Sequence, residues 1–182
     1  MMKKKLFITG ANGQIGSYII KKLKKNYQIF GFDKDFNFND IKSLNKIMKK
    51  NFYAVIFAHG YNTTPKKKSK KSKLIDESEI MNFLETNFLL NCRIINSYIQ
   101  NSNQGRVINL SSIYSIKSPK HFIYKNFNKE VGYSASKAAS NIMMKYMGTK
   151  LGKKFLFNSI ILGGVKNKNL DNNFIKNYKK NN

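Results

Sequence analysis

The sequence predicts an α/β fold with a doubly wound parallel sheet of about six strands and helices on both faces. Short apolar runs alternate along the chain with longer segments in which apolar residues recur at helical spacing. Glycine or short polar residues close most of these runs, and no internal repeat is visible. Strands that alternate with helices imply βαβ crossovers, and such crossovers cover a parallel sheet on both faces.

The first half of the chain contains four predicted strands, namely residues 6–8, 27–32, 53–58 and, as a shorter candidate, 36–38. A helix after the first strand is indicated by apolar residues at helical spacing, Ile15, Ile19, Ile20 and Leu23. Asp40 or Ser43 would cap a second helix, which is indicated by Leu44, Ile47 and Met48.

The second half continues this alternation. An apolar stripe between Ile80 and Tyr98 predicts a long helix, and later elements follow as a strand at 106–110, a helix at 133–150 and a strand at 155–162. Residues 1–165 therefore form one predicted domain. Residues 166–182 form a tail rich in Lys and Asn that is long enough for one short helix.

The chain is strongly basic, with 34 Lys and Arg against 9 Asp and Glu and a formal net charge of +25. Only Arg93 and Arg106 are arginines, although nucleic-acid sites usually prefer Arg for bidentate and stacking contacts. We therefore expect solvated lysines and no nucleic-acid partner. The one dense lysine cluster, residues 66–73, is predicted to be a loop, with a polyanion-binding loop as the alternative.

Cys92 is the only cysteine, which excludes an intramolecular disulfide framework and a thiolate metal cluster. We predict no metal site. No apolar run approaches the roughly 18 residues that a membrane span needs. These observations predict a cytoplasmic protein without a membrane partner.

A glycine-rich turn lies between the first strand and the first helix, where Gly10, Gly13 and Gly16 recur at a spacing of three. At this place the glycines permit a tight turn, a close approach to a pyrophosphate and close helix–strand packing, while the helix start offers N–H donors. The pattern predicts a dinucleotide-binding turn rather than an ordinary one, and its remaining residues belong to the same site, Asn12, Gln14 and Ile15.

Asp33 ends the second strand, where a carboxylate can accept both ribose hydroxyls of a dinucleotide and repel a 2′-phosphate. It therefore predicts NAD as the cofactor, with NADP less favoured. The neighbouring Lys34 introduces the opposite charge.

Tyr133 and Lys137 are four residues apart, so a helix places them on one face. Two other Tyr/Lys pairs have this spacing, Tyr18/Lys22 and Tyr146/Lys150. Only Tyr133 opens a helix after a strand that ends in two serines, and strand carboxyl ends are where ligands bind in such sheets.

Together these motifs resemble the short-chain dehydrogenase/reductase family. The glycine turn, Asp33, Asn87, residues 109–112 (Asn-Leu-Ser-Ser) and Tyr133-x-x-x-Lys137 follow one another in the family's order over almost the whole chain. The resemblance implies a Rossmann-type fold, an NAD-dependent oxidoreductase, and a homo-oligomer formed through the helices of Asn87 and Tyr133.

The resemblance also implies roles for individual residues. Tyr133 would be the general acid/base, and Lys137 would lower its pKa and hold the cofactor ribose. A free phenol titrates near pH ~10, so work at neutral pH needs a nearby cation. Ser112 would orient the substrate carbonyl. Because neighbouring strand residues face opposite ways, only one of Ser111 and Ser112 should point at the site, and the motif favours Ser112.

Asn87 would support a proton relay through water, and an amide that brackets nearby backbone is an equally open interpretation. The turn after the third strand reads Ala-His-Gly at residues 58–60, where the family usually carries Asn-Ala-Gly. Only Gly60 matches, and it is assigned to the cofactor site. His59 is expected to be structural or incidental.

The substrate side departs further from the family. The loop between Ser112 and Tyr133 is long and aromatic, and it resembles a subgroup found with surface-carbohydrate and flagellin-modification genes. Its rings would form a wall for a sugar face or pack against one another. Leu162 replaces the proline of a Pro-Gly turn, and the family's last strand and helix are expected to be missing.

These features predict an oxidoreductase that interconverts a secondary alcohol and a carbonyl on a small-molecule substrate, with a sugar-derived molecule as the candidate. A sugar-nucleotide epimerase or dehydratase of the same fold is the alternative enzyme, against which the chain length speaks. A truncated, non-catalytic NAD-binding protein that serves as an interaction module is the alternative from a different class.

Overall fold

A computed structural model of the chain describes residues 2–62, 75–124, 129–165 and 172–181. These residues contain a five-stranded parallel sheet in the order β2-β1-β3-β4-β5. The strands are β1 (Lys5–Thr9), β2 (Gln28–Phe32), β3 (Ala54–Phe57), β4 (Gly105–Ser112) and β5 (Phe155–Leu162). The predicted doubly wound parallel sheet is confirmed.

Six α-helices accompany the sheet in the described residues, namely α1 (Gln14–Leu23), α2 (Ile41–Met48), α3 (Glu77–Leu84), α4 (Leu90–Gln100), α5 (Val131–Leu151) and α6 (Asn172–Asn181). A π-helical turn, Glu85–Leu89, joins α3 to α4. Asp40 caps α2, since its side chain accepts the Ser43 N–H at 3.1 Å. The short helix expected in the tail is present as α6.

Two apolar layers hold the helices against the sheet. On one face, strand residues such as Phe7, Val55 and Val107 pack with buried residues of α2, α4 and α5, among them Leu44, Ile94 and Met144. On the other face, Leu6, Ile8, Ala54 and Ile56 pack against α1. Burial of each large apolar side chain stabilises the fold by about 1.5–3 kcal/mol, so both layers fix the sheet.

The predicted strand at residues 36–38 is wrong, and the described part of the chain forms five strands rather than six. The Phe36 N–H donates to the Asp33 carbonyl, and the Asp40 N–H donates to the Asn37 carbonyl, so the segment folds into two turns. The rings of Phe36 and Phe38 pack edge-to-face, and Phe36 packs in the same way on Phe32. Aromatic packing on the end of β2 therefore explains the apolar pattern.

The crevice of the fold opens between β1 and β3. β2 pairs with one side of β1 and β3 with the other, so the chain reverses its winding direction there. Ligands of such sheets bind at this reversal, outside the carboxyl ends of the strands. The glycine turn follows β1 and Gly60 follows β3, so both lie at the crevice.

Several predicted features fall outside the described residues, namely the lysine cluster at 66–73, the part of the aromatic loop that contains Phe127, and residues 166–171 of the tail. Within the described ranges, we find no helix with the length and apolar character that a membrane crossing requires.

Candidate cofactor and catalytic site

The glycine turn brings backbone segments into close contact. Gly10 has a φ of 66°, in the left-handed region, and a Cβ there would lie 2.6 Å from the backbone nitrogen of His59. A Cβ at Gly16 would lie 2.0 Å from the Gly10 carbonyl oxygen. Gly13 is the N-cap of α1 and adds no side chain over the start of that helix. The turn is therefore built on close backbone contacts that only glycine allows, at the start of α1, where a pyrophosphate would bind.

Asp33 lies beside this turn. One of its carboxylate oxygens accepts the Asn12 N–H at 2.8 Å, and the other accepts the Lys34 N–H at 2.9 Å. These bonds bring the end of β2 to the turn after β1. They fix a negative charge at the edge of the crevice, where the ribose of a dinucleotide would lie.

A groove of about 400 Å³ begins directly after Asp33. Residues 34–39 line one side, and the other side is formed by Glu85, Thr86, Leu90 and Arg93. Arg93 contacts Glu85 at 2.6 Å, so its charge is paired within the groove. The groove, the glycine turn and Asp33 together fit the adenosine half of a dinucleotide.

His59 connects the turns that surround the crevice. Its Nδ1 lies 2.5 Å from the Thr9 hydroxyl at the end of β1, and its Nε2 lies 3.0 Å from the Thr86 carbonyl in the π-helical turn. Burial lowers the pKa of the ring to about 4. The expectation that His59 is structural fits these contacts, but its links to both turns could not be read from the sequence.

Asn87 is buried in the π-helical turn, and its amide is fully engaged. The Tyr61 N–H donates to Oδ1 at 2.7 Å, and Nδ2 donates to the Tyr61 carbonyl and the Ser136 hydroxyl, both at 3.0 Å. The bracket interpretation of Asn87 therefore describes its contacts. The proton relay remains a prediction.

A second pair repeats this contact one helical turn later. Asn91 Nδ2 donates to the Ser140 hydroxyl at 2.8 Å and to the Asn87 carbonyl at 3.1 Å. The two Asn–Ser contacts, Asn87–Ser136 and Asn91–Ser140, form a polar ladder between α4 with its π-helical turn and α5. Asn91, Ser136 and Ser140 were not predicted as site residues, although the spacing of four within Asn87/Asn91 and within Ser136/Ser140 is visible in the sequence.

Lys137 is buried on α5, with only 5% of its surface exposed. Its ammonium donates to the Leu110 carbonyl at 3.2 Å, and burial lowers its pKa to about 8. A Cβ at Gly60 would lie 3.3 Å from the Lys137 Nζ and 3.7 Å from the Asn87 Oδ1. Gly60 therefore lies over the catalytic candidates Lys137 and Asn87, at the end of β3.

Tyr133 and Ser112 are brought together. The Ser112 side chain hydrogen-bonds to Tyr133 and lowers the pKa of the phenol, but burial outweighs this effect and the pKa is raised. The Ser111 hydroxyl instead contacts Ser115 at 3.2 Å. The structure therefore directs Ser112, and not Ser111, to the tyrosine.

The aromatic loop packs partly on itself. The hydroxyls of Tyr114 and Tyr124 hydrogen-bond to each other, and both rings are buried. Tyr178 of α6 hydrogen-bonds to Tyr114 and packs on Gly164, where a Cβ would lie 2.7 Å from its ring. Phe122 is 67% exposed. Phe122 is thus exposed, while the two tyrosines pack against one another.

The chain is similar in fold to solved short-chain dehydrogenases. One of these is a short-chain dehydrogenase from Leptospira borgpetersenii with bound NAD+. The match covers 98% of this chain and 77% of that one, with a TM-score of 0.81 and 19% identity. Another is a short-chain dehydrogenase from Burkholderia cenocepacia in complex with NADP. That match covers 92% of this chain and 76% of the other, with a TM-score of 0.70 and 15% identity. A dehydrogenase/reductase from Sinorhizobium meliloti matches 97% of this chain and 79% of its own, at a TM-score of 0.75 and 16% identity.

A search among curated proteins gives no match. The model of the NAD dependent epimerase/dehydratase family matches residues 6–161, a range that contains the glycine turn, Asp33, the Asn87 bracket and the Tyr133–Lys137 pair. The expected short-chain dehydrogenase fold is confirmed, and the chain belongs to the NAD dependent epimerase/dehydratase family.

Proposed function

We propose that the chain interconverts a secondary alcohol and a carbonyl, with Tyr133 as the proton-transfer group. The observation that carries this proposal is the convergence of Tyr133, Ser112 and Lys137 at the carboxyl end of β4, with Gly60 beside Lys137. A bound nicotinamide would supply or accept the hydride.

The protein's own residues handle the proton. The Tyr133 hydroxyl gives its proton to the substrate oxygen during reduction and takes it back during oxidation, and the Ser112 hydroxyl stabilises charge on that oxygen. Burial disfavours the phenolate and raises the pKa of Tyr133, so a cation is needed to form it. Lys137 supplies that cation from the next turn of α5.

Cofactor binding is the first test. Titration of NADH should give saturable quenching of tyrosine fluorescence and a thermal shift, since ligands that bind the folded state stabilise it. No response at about millimolar cofactor, the upper end of the usual range of about 1 μM to 1 mM, would contradict the proposal.

We further propose NAD rather than NADP as the preferred cofactor. The Asp33 carboxylate lies at the ribose position, and Glu85 pairs with Arg93, so a 2′-phosphate would meet a negative charge and no free guanidinium in this groove. Asp33→Asn should raise the affinity for NADPH relative to NADH. Lys34→Met is the matched control, because it removes the adjacent cation and should lower NADPH affinity.

An epimerase or dehydratase is the second candidate, favoured by the family match and by the glycine spacing. The two functions differ in whether the reaction leaves a net change in the oxidation state of the cofactor. An oxidoreductase changes the 340 nm absorbance of the nicotinamide in proportion to product, whereas an epimerase or dehydratase forms product with no net change.

A sugar-derived substrate is part of the proposal. Phe122 offers an exposed ring on the aromatic loop, and aromatic faces stack on the apolar faces of sugars. Phe122→Ala should raise the KM for a sugar substrate about tenfold and leave NADH affinity unchanged. An equal effect on a non-sugar alcohol would argue against the sugar.

We also propose a cytoplasmic homo-oligomer. Met81 and Ile142 are exposed on the helices that the family resemblance implies as the interface, and the single cysteine suits a reducing compartment. Light scattering should give a mass of two or more chains. Ile142→Lys should reduce that mass to one chain, and Ile116→Lys, a change at an exposed residue outside these helices, should not.

A further inference from the structure

His59 contacts segments that the function needs in one arrangement. It follows β3 and precedes Gly60, while Thr9 precedes Gly10 and Thr86 precedes Asn87. The ring reaches Thr9 at 2.5 Å and Thr86 at 3.0 Å. One side chain thus joins the glycine turn, the Gly60 turn and the π-helical turn.

The donors and acceptors of these bonds follow from the chemistry of the groups. The Thr86 carbonyl can only accept, so Nε2 of His59 carries the hydrogen. In the neutral ring Nδ1 is then an acceptor, and the Thr9 hydroxyl donates to it. Burial keeps the ring neutral, with the Lys137 ammonium acting in the same direction and the Asp33 carboxylate opposing it.

We propose that His59 is a positioning residue for the cofactor, because its ring holds these three turns in the geometry that binds it. The inference rests on the proposed function. Loss of the ring would leave the Thr9 hydroxyl and the Thr86 carbonyl without these bonds. Movement of residue 59 would also displace the Gly10 turn, since the backbones of the two residues are in close contact.

The residue type itself supports this role. Alanine, which the family resemblance predicts at position 59, could make neither bond. Histidine makes both and packs edge-to-face on Phe57 at a centroid distance of 5.8 Å. The departure from the family thus introduces a connection between turns.

Four variants test the inference by calorimetric titration of NAD+. His59→Phe keeps a ring of similar size but makes neither bond, so Kd should rise about tenfold or more. His59→Asn places an acceptor near the Nδ1 position and His59→Gln places a donor near the Nε2 position, so each should recover part of the affinity. His121→Phe, a change of the other histidine, should bind like the wild type.

Hydrogen exchange gives a readout that does not need cofactor. His59→Phe should accelerate amide exchange at residues 10–16 and 86–91. His59→Asn should restore protection at residues 10–16, and His59→Gln should restore it at residues 86–91. Wild-type affinity should also stay constant from about pH 7 to 5, because the His59 ring is neutral in that range and the Lys137 ammonium, with a pKa of about 8, stays charged. A step near pH 6.5 would contradict the assignment.

The outcomes separate the two proposals. If the wild type does not bind NAD+ or NADH, the proposed function fails, and the exchange pattern still decides whether His59 holds the turns. If the wild type binds and folded His59→Phe binds equally well, the inference on His59 fails alone. If His59→Phe does not fold, the Asn and Gln variants decide, and wild-type affinity and exchange in both would overturn it.

Discussion

The cofactor side and the substrate side of this molecule are built differently. On the cofactor side, turns at the ends of β1, β2 and β3 are held by short polar bonds from Asp33, His59 and Asn87. On the substrate side, the aromatic loop and α6 meet through the side chains of Tyr114, Tyr124 and Tyr178. The first side depends on backbone geometry that few residues can adopt, and the second on packing that many residues can supply. Recognition of the cofactor is therefore more constrained than recognition of the substrate.

The largest expected effect separates chemistry from binding. Tyr133→Phe should lower turnover about 10³-fold, because the proton-transfer group is lost, while the ring and NADH affinity remain. Steady-state rates and NADH titration check this. A similar loss in Tyr146→Phe, whose ring is exposed on the same helix, would show that the tyrosine is wrongly assigned.

A smaller effect concerns stability on the cofactor side. Burial lowers the pKa of Lys137 from 10.5 to about 8, so the ammonium is less stable in the folded protein than in the unfolded chain, although it still predominates at pH 7. Stability should rise as the pH increases from about 8 to 10.5, and the full penalty, about 3 kcal/mol, should be present below pH 8.

Lys137→Met should therefore stabilise the cofactor-free protein at pH 7, by up to about 3 kcal/mol less the lost bond to Leu110. The same change should abolish turnover. Thermal unfolding at pH 7 and pH 10 checks the sign, and the exposed Lys145→Met is the control. A lower melting temperature for Lys137→Met at pH 7 would refute the prediction.

Substitution of one glycine on each side compares how sensitive the stability of the two sides is to an added side chain. Gly16→Ala would place a Cβ 2.0 Å from the Gly10 carbonyl, so we expect a loss of about 2 kcal/mol and weaker NADH binding. A Cβ at Gly163 on the substrate side has no atom within 4 Å. Gly163→Ala should change unfolding free energy by less than about 0.5 kcal/mol. Equal losses of unfolding free energy in the two variants, measured by chemical denaturation, would contradict this difference between the two sides.

The smallest effect is expected on the substrate side. Tyr124→Phe removes the hydroxyl that pairs with Tyr114 and should destabilise the protein by about 1 kcal/mol, with no change in NADH affinity. Denaturant titration checks the loss against Tyr18→Phe, an exposed control. Weaker NADH binding in Tyr124→Phe would mean that the two sides are coupled.

Much of the fold could be predicted because its signals are local. Among the described residues, apolar periodicity predicted the helices and strands with two differences. The segment at 36–38 was misassigned, since aromatic residues that pack in turns resemble a short strand, and the long helix expected between Ile80 and Tyr98 is divided by a π-helical turn. The candidate site could be assembled because Gly10, Asp33 and Tyr133 occupy characteristic positions in the strand order. His59 and the serines of α5 could not be found in this way, because their partners lie between 27 and 50 residues away.

The polar ladder between α4 and α5 has a consequence for motion. Both of its contacts join residues 49 positions apart, so sliding or rotation of one helix past the other would break the two together. The two helices should consequently move as one rigid body. Any opening that admits substrate would then leave Tyr133 and Lys137 fixed relative to Asn87.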